Sequence, residues 1–161
     1  METPFRSDQE AAWLRLAVRA TNAGLWEWHV GEGRAYFSPE WKRQVGCGDH
    51  EVGHEFREWE CRLHPDEAPR VRAGFQTALE RPWDDYQDEY RFRHQDGSYR
   101  WVLAQGTVVT DATGRTVRFV GAHLDITNRK RAEEALLESR DWAEDIINSV
   151  DGIVWEADPN T

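Results

Sequence analysis

Three segments of alternating apolar and polar residues follow one another in the second half of the chain, at 88–94, 99–110 and 116–126. Asp96-Gly97 lies between the first two, and the turn sequence 111–114 lies between the last two. Side chains alternate between the faces of a strand, and Asp-Gly between such segments is a strong hairpin signal. The pattern therefore predicts three consecutive antiparallel strands, and the fold must contain that sheet.

The first half predicts a hairpin. Two short strand-like segments, 25–30 and 34–38, flank the turn Gly31-Glu32-Gly33. Ser38-Pro39 then has the pattern of an N-cap followed by proline at the first helical position, and this short helix is expected to end at Gly46.

Helices account for most of the remaining chain. A helix is predicted from about Asp66 until Arg81-Pro82, with Val71, Phe75, Ala78 and Leu79 on its buried face, whereas residues 48–64 show only a weak helical pattern. An amphipathic helix is expected over 8–21, with Ser7 and Glu10 as a capping box, and a strong helix former follows Thr127.

These elements predict an α+β fold. It consists of a five-stranded antiparallel sheet with helices on one face, an N-terminal amphipathic helix and a C-terminal linker helix.

The composition favours a folded, acidic domain. Thirty acidic and twenty basic residues give a net charge of −10, which disfavours nucleic acid and anionic lipid as partners. The sequence has no apolar run of signal-peptide or membrane-span length, so a cytoplasmic location is expected. Its two cysteines, Cys47 and Cys61, are expected to be reduced thiols.

Several short sequences occur in the order found in one family. Gly24-Leu25-Trp26-Glu27-Trp28 precedes Leu63-His64-Pro65-Asp66-Glu67, and the block 89–101 precedes Asp125-Ile126-Thr127. Together they resemble the first strand, the start of the long helix and the C-terminal PAC motif of a PAS domain. The resemblance covers residues 22–127, which are expected to be the sensory domain. Residues 1–21 would be a preceding helix and 128–150 a signalling linker helix.

The C-terminal segment 151–161 resembles the start of a second PAS domain. Its Trp155-Glu156 repeats the Trp26-Glu27 pair of the first strand. Two PAS modules in tandem would produce this repeat, and the alternative is a coincidental strand-like tail.

The PAS resemblance also implies a ligand pocket on the inner face of the sheet. In flavin-binding relatives a polar side chain precedes the terminal motif, and His123 matches it. The alternative is a packed core in which His123 is hydrogen-bonded and inert. The candidate pocket residues are Trp26, Trp28, Tyr90, Phe92, Val102, Ala104, Phe119, Gly121 and His123.

No cofactor or metal is predicted. Cys61 lies in a sequence similar to the flavin-domain signature, but that motif's Asn is absent, and neither His54 nor His64 occupies a clear apolar stripe for haem. A zinc site of Cys47, His50, His54 and Cys61 would have an uncommon spacing. The sequence His54-Glu55-Phe56-Arg57 matches a kinase phosphoacceptor box, yet no glycine-rich nucleotide-binding segment accompanies it.

The resemblance implies a non-enzymatic sensory and dimerisation module in a longer signalling protein. Asp125, Ile126 and Thr127 would join the sheet to the linker helix. Apolar residues recur along that helix at three- and four-residue steps, which is typical of a homodimeric coiled coil. The expected output domain is a histidine kinase or diguanylate cyclase. The alternatives are a stand-alone small-molecule or metal-binding protein and a fragment of a catalytic histidine kinase.

Overall fold

The computed structural model describes residues 4–151, with side chains described for 8–149. The chain divides into two compact units between Ile126 and Thr127. The elements in chain order are α1 (Pro4–Thr21), β1 (Gly24–His29), β2 (Arg34–Phe37), α2 (Pro39–Gln44), α3 (Arg57–Glu60), α4 (Ala68–Glu80), β3 (Tyr86–Arg93), β4 (Tyr99–Thr110), β5 (Thr116–Asp125) and α5 (Thr127–Asp151).

All five strands form one antiparallel sheet in the order β2-β1-β5-β4-β3. The predicted α+β fold is confirmed, including the three consecutive strands. Gly97 and Gly114 occupy the turns between them at φ 86° and 82°, a backbone region that glycine enters without a steric cost. The first strand pairs with the last, which places β5 near the centre of the sheet.

The start of α1 differs from the prediction. The helix begins at Pro4, so Ser7 lies in its first turn and is not the N-cap. Proline is well suited to this position, because the first turn of a helix does not use its backbone N–H groups. The helix ends at Thr21, and Asn22 after it adopts φ 50°. The Ala23 N–H donates to the Val18 carbonyl in a Schellman-type closure.

Ser38 connects the hairpin to α2, as its position before Pro39 predicted. Its hydroxyl oxygen accepts hydrogen bonds from the backbone N–H groups of Trp41 (3.3 Å) and Leu25 (3.0 Å). One bond caps the helix and the other fixes it against β1. This places Trp41, which is fully buried, over the inner face of the sheet.

The middle of the chain adds two helices to the same layer. The weakly patterned region contains the four-residue α3, and the predicted long helix begins at Ala68. Val71 and Phe75 are buried, as the periodicity predicted. Glu67 holds the start of α4 against β3, since its carboxylate accepts from both the backbone N–H and the side-chain Nε of Arg91 at 2.7 Å.

The second unit consists of α5, which confirms the predicted C-terminal helix. Leu136, Trp142 and Ile147 on this helix are exposed. The strand predicted at 151–161 lies, apart from Asp151, outside the described residues. Within residues 4–151, no helix combines the length and the apolar content needed to cross a bilayer.

Trp26 packs against a floor made of two glycines. It lies in register with Gly121 on β5, which is in turn in register with Gly106 on β4. A Cβ atom at Gly121 would lie 2.3 Å from the indole ring, and one at Gly106 would lie 2.9 Å from it. Both positions therefore need glycine for the ring to lie flat against the sheet.

Replacement of Gly121 by alanine is expected to destabilise the protein by about 1–3 kcal/mol, because the new methyl group overlaps the Gln105 carbonyl oxygen and the Trp26 ring. Urea unfolding followed by circular dichroism measures this change. Gly31→Ala is the matched control, since no atom lies within 4 Å of its added Cβ. It should unfold within about 0.5 kcal/mol of the unmodified chain. Equal stability of the two variants would contradict the proposed close packing.

Candidate functional site

The predicted pocket residues all lie on the inner face of the sheet. Trp26 faces the same layer as Gly121, and His123 is in register with Ala104. Most of the set is buried, whereas Trp28 and Gly121 are partly exposed. The structure thus brings them together, and their contact with a ligand stays a prediction.

The helices supply further aromatic rings that the sequence reasoning did not assign to the site. Trp41, Trp59 and Phe75 are buried against the sheet. Phe75 stacks on Trp59 at a centroid distance of 4.9 Å and contacts Phe119 at 4.5 Å. Trp41 follows the Ser38 cap by three residues, which was the available signal. Trp59 lies in the weakly patterned region, where periodicity could not orient it.

Aromatic side chains fill the interior almost completely. The enclosed space bounded by Trp26, Trp28, Phe56 and Phe75 amounts to about 10 Å³. A cavity of that size holds at most about one water molecule. Pockets that bind small organic ligands measure about 300–1,000 Å³, so such a ligand requires displacement of these rings.

His123 is the centre of a buried hydrogen-bonded group of four side chains. The Trp41 Nε1–H donates to His123 Nδ1 at 3.0 Å, and His123 Nε2 lies 2.9 Å from the Tyr90 hydroxyl. The Trp59 Nε1–H also donates to that hydroxyl at 2.9 Å. An indole nitrogen can only donate, so Nδ1 carries the lone pair and neutral His123 carries its proton on Nε2.

Burial keeps both titratable members of this group uncharged. Desolvation lowers the pKa of His123 to about 3. Desolvation also raises the pKa of Tyr90 well above its ordinary value of 10. Protonation of Nδ1 would, in addition, place two N–H donors face to face at the Trp41 contact. The group is therefore a neutral structural cross-link between the sheet and two helices at ordinary pH.

The residues considered for cofactor or phosphoryl chemistry lie elsewhere. Cys61 is exposed, and His54 lies in an irregular segment before α3 instead of within a helix. The His64 Nδ1 accepts from the Asp66 backbone N–H at 3.2 Å, which fits a role at the start of the long helix. In the part of the chain that the structure describes, no group of three or more His, Cys, Asp or Glu side chains could hold a metal ion.

The family profile described as "PAS fold" matches residues 34–123 of this chain. The chain belongs to the PAS family.

Solved PAS structures share this architecture. A sensory box histidine kinase/response regulator from Burkholderia thailandensis E264 is 39% identical, with a TM-score of 0.71 over 81% of this chain and 97% of that chain. The N-terminal domain of a diguanylate cyclase with PAS/PAC sensor from Marinobacter aquaeolei is 24% identical, with a TM-score of 0.62 over 67% of this chain and 98% of that chain. The chain is thus similar to the sensory PAS domain of the kinase, and it shares its fold with the domain of the cyclase.

A curated relative is much longer than this chain. The uncharacterized protein y4lL of Sinorhizobium fredii is 30% identical over 76% of this PAS chain. The chain spans only 15% of the length of that relative.

Acidification is expected to destabilise the PAS fold through His123. The unfolded chain binds a proton near pH 6.5, whereas the folded chain keeps His123 neutral until about pH 3. The contribution of His123 to the free energy of unfolding is therefore fully present above pH 6.5. Below that pH it falls by about 1.4 kcal/mol for each pH unit. Urea unfolding at several pH values between about 7 and 5 measures the slope.

Glu67, which is partly buried, does not titrate in this window. Burial alone would raise the pKa of Glu67, but hydrogen bonds from Arg91 leave it below its ordinary value of 4.5.

His123→Gln should flatten the slope of stability against pH, while His50→Gln, which changes an exposed residue, should retain it. Imidazole ¹⁵N shifts provide a test that needs no variant. A protonated His123 in the folded protein at about pH 5 would refute the assignment.

Proposed function

We propose that this PAS domain is a sensory and dimerisation module that transmits a change in its sheet through α5 to the output domain of a longer signalling protein. The observation that carries the proposal is the double attachment of His123 to α2, close to the end of β5. The strand leads into α5 at Thr127, so a displacement of β5 acts on that helix through the continuous backbone.

Helix α2 contacts His123 through both its side chain and its backbone. Trp41 donates to the imidazole, and Gln44 Nε2 donates to the His123 carbonyl at 3.1 Å. The same amide donates to the Asn22 carbonyl at 2.7 Å, directly after α1. A shift of α2 would thus displace both β5 and the end of α1 through these hydrogen bonds.

The end of β5 stays paired to the sheet up to the junction with α5. The Ile126 N–H donates to the Trp101 carbonyl on β4 at 2.9 Å, one residue before the helix begins. Asp125, Ile126 and Thr127 therefore form the proposed signal-transfer joint. A displacement of β4 or β5 would therefore reach Thr127, the first residue of α5, through one peptide bond.

The input must distinguish two arrangements of the domain, because a ligand or partner shifts an equilibrium only by its difference in affinity for the two states. The nearly filled interior favours two sources of input: a contact on the surface, or a small ligand that displaces aromatic rings. Both would change the packing of α2 against β5. The output would follow from the resulting change in α5.

Dimerisation through the terminal helices is supported by their apolar surfaces. Trp13 and Leu16 on α1 are 66% and 63% exposed, and Leu136 on α5 is 73% exposed. Monomeric proteins seldom leave helices with so many large apolar side chains in water. Paired α5 helices would bury this surface and supply a symmetric route to an output domain.

The output would be a histidine kinase or a diguanylate cyclase. Similar PAS domains occur in proteins of both kinds, and the chain covers a small part of a curated relative's length. We propose no catalytic role for the chain itself.

Trp41→Phe should loosen the junction between the sheet and α5. It retains the ring but removes the N–H donor to His123, and a net hydrogen bond contributes about 1 kcal/mol, or about fivefold in local opening. Amide hydrogen exchange should therefore become about fivefold faster over residues 122–130. Trp83→Phe is the matched control, because Trp83 is 77% exposed. Unchanged exchange over 122–130 in Trp41→Phe would argue against the relay.

Leu136→Asp should dissociate the homodimer. The apolar steps along α5 predict a seam that includes either Ala135 or Leu136, and Leu136 is the larger, exposed side chain of the two. A carboxylate at this position would be buried and unpaired in a dimer. Leu137→Asp is the matched control, since Leu137 is also exposed but lies about 100° further around the helix. Sedimentation velocity should show a monomer for Leu136→Asp and a dimer for Leu137→Asp. Monomeric unmodified protein would refute the dimer proposal.

A further inference from the structure

Both cysteines of the chain lie beside one arginine. Arg62 Nη2 lies 3.9 Å from Cys47 Sγ, and its Nη1 lies 3.8 Å from Cys61 Sγ. The two nitrogens belong to the same planar guanidinium, so the sulfurs approach neighbouring corners of one rigid group. Cys47 and Cys61 are separated in sequence by α3, and the fold has brought them to a common site.

The thiols share one hydrogen-bonding arrangement. The Cys47 thiol donates to the Val45 carbonyl at 3.8 Å, and the Cys61 thiol donates to the Glu58 carbonyl at 3.6 Å. Each sulfur also accepts from Arg62. Glu58 in turn fixes Arg62, because its carboxylate accepts from Nη1 at 2.9 Å. The sulfur lone pairs thus face N–H groups of a guanidinium that its ion pair with Glu58 holds in place.

The site is open to small reagents. A surface pocket of about 440 Å³ is lined by both cysteines together with Arg62, Arg93 and His94. Glu51 also lines it, so the surroundings are not purely basic. Cys61 is exposed and Cys47 is half-buried. Reactive cysteines are found in partly exposed surroundings that contain positive groups.

We propose that Cys47 and Cys61 form an oxidisable dithiol site that reacts with hydrogen peroxide or a small organic hydroperoxide. Neither residue belongs to a strand, so a local change at either cysteine leaves the pairing of the sheet intact. This site goes beyond the proposed relay and does not depend on it.

The chemistry proceeds in two balanced steps. The Cys61 sulfur attacks the terminal peroxide oxygen and the O–O bond breaks. The departing oxygen takes the thiol proton and leaves as water from hydrogen peroxide, or as the alcohol from an organic hydroperoxide. The product is a sulfenic acid. The Cys47 sulfur then attacks the Cys61 sulfur, an S–S bond forms, and the hydroxyl leaves as water with the second thiol proton. Two thiols lose two electrons in total, and the peroxide gains them.

Oxidation at this site would alter the environment of the buried Trp41 ring. The Arg62 guanidinium lies 5.8 Å from the centroid of the Trp41 ring. A disulfide would withdraw both sulfurs from their present contacts with the guanidinium. The altered position of Arg62 would then change the field at Trp41, whose N–H donates to His123.

The experiment treats the reduced chain with hydrogen peroxide and follows it by intact-mass spectrometry under non-reducing conditions. The expected product is a single chain that has lost two hydrogens, with a disulfide between the Cys47 and Cys61 peptides that dithiothreitol reverses. The rate should exceed that of glutathione under the same conditions. The Trp41 indole N–H resonance in a ¹H–¹⁵N spectrum should shift in parallel.

Single variants separate the two steps. Cys47→Ser should accumulate a dimedone-reactive sulfenic acid at Cys61, and Cys61→Ser should leave Cys47 largely unmodified. Arg62→Gln, checked for native circular dichroism, should react severalfold more slowly. Three results would each overturn the proposal: oxidation no faster than glutathione, a disulfide between two chains, or equal reaction of both single-cysteine variants. These readouts do not use α5 exchange or dimerisation, so they are independent of the relay.

Discussion

The hydrogen bond from the Trp41 indole to His123 joins the helical layer to the centre of the sheet. It depends on Ser38, which caps α2 and fixes it against β1, and it determines which imidazole nitrogen carries the proton. Tyr90 and Trp59 extend the same connection to β3 and α3. Because desolvation lowers the pKa of the histidine, the cross-link stays neutral without any counter-ion.

The strands and their turns were predictable from local sequence. Gly97 and Gly114 mark turns that need left-handed backbone, and side-chain alternation gave the inner face that His123 shares with Phe119. The Ser38 cap was equally local. The contacts of Trp59 were not predictable, since residues 48–64 show little periodicity and its partner Tyr90 is 31 positions away. The start of α1 was misplaced because a plausible capping box competed with Pro4.

The candidate pocket shows the same division between local and long-range information. The alternation of side chains along each strand identified those that face the interior, but it could not predict how much space remains between them. That volume depends on the helices as well as the strands: Trp41, Trp59 and Phe75 enter from three different helices. A PAS sheet with a suitable inner face can therefore enclose either a ligand or its own aromatic rings, and here the rings occupy the space.

The packing of Trp26 against two glycines makes position 26 useful for protein engineering. The indole rests on backbone at Gly106 and Gly121, so its removal would expose a flat floor with no side chain projecting from it. The vacancy would have the outline of a bicyclic heteroaromatic compound, and added indole could occupy it and restore the lost contacts. A smaller side chain at position 26 would thus leave a space bordered by Phe75 and Phe119, which added indole would match in size.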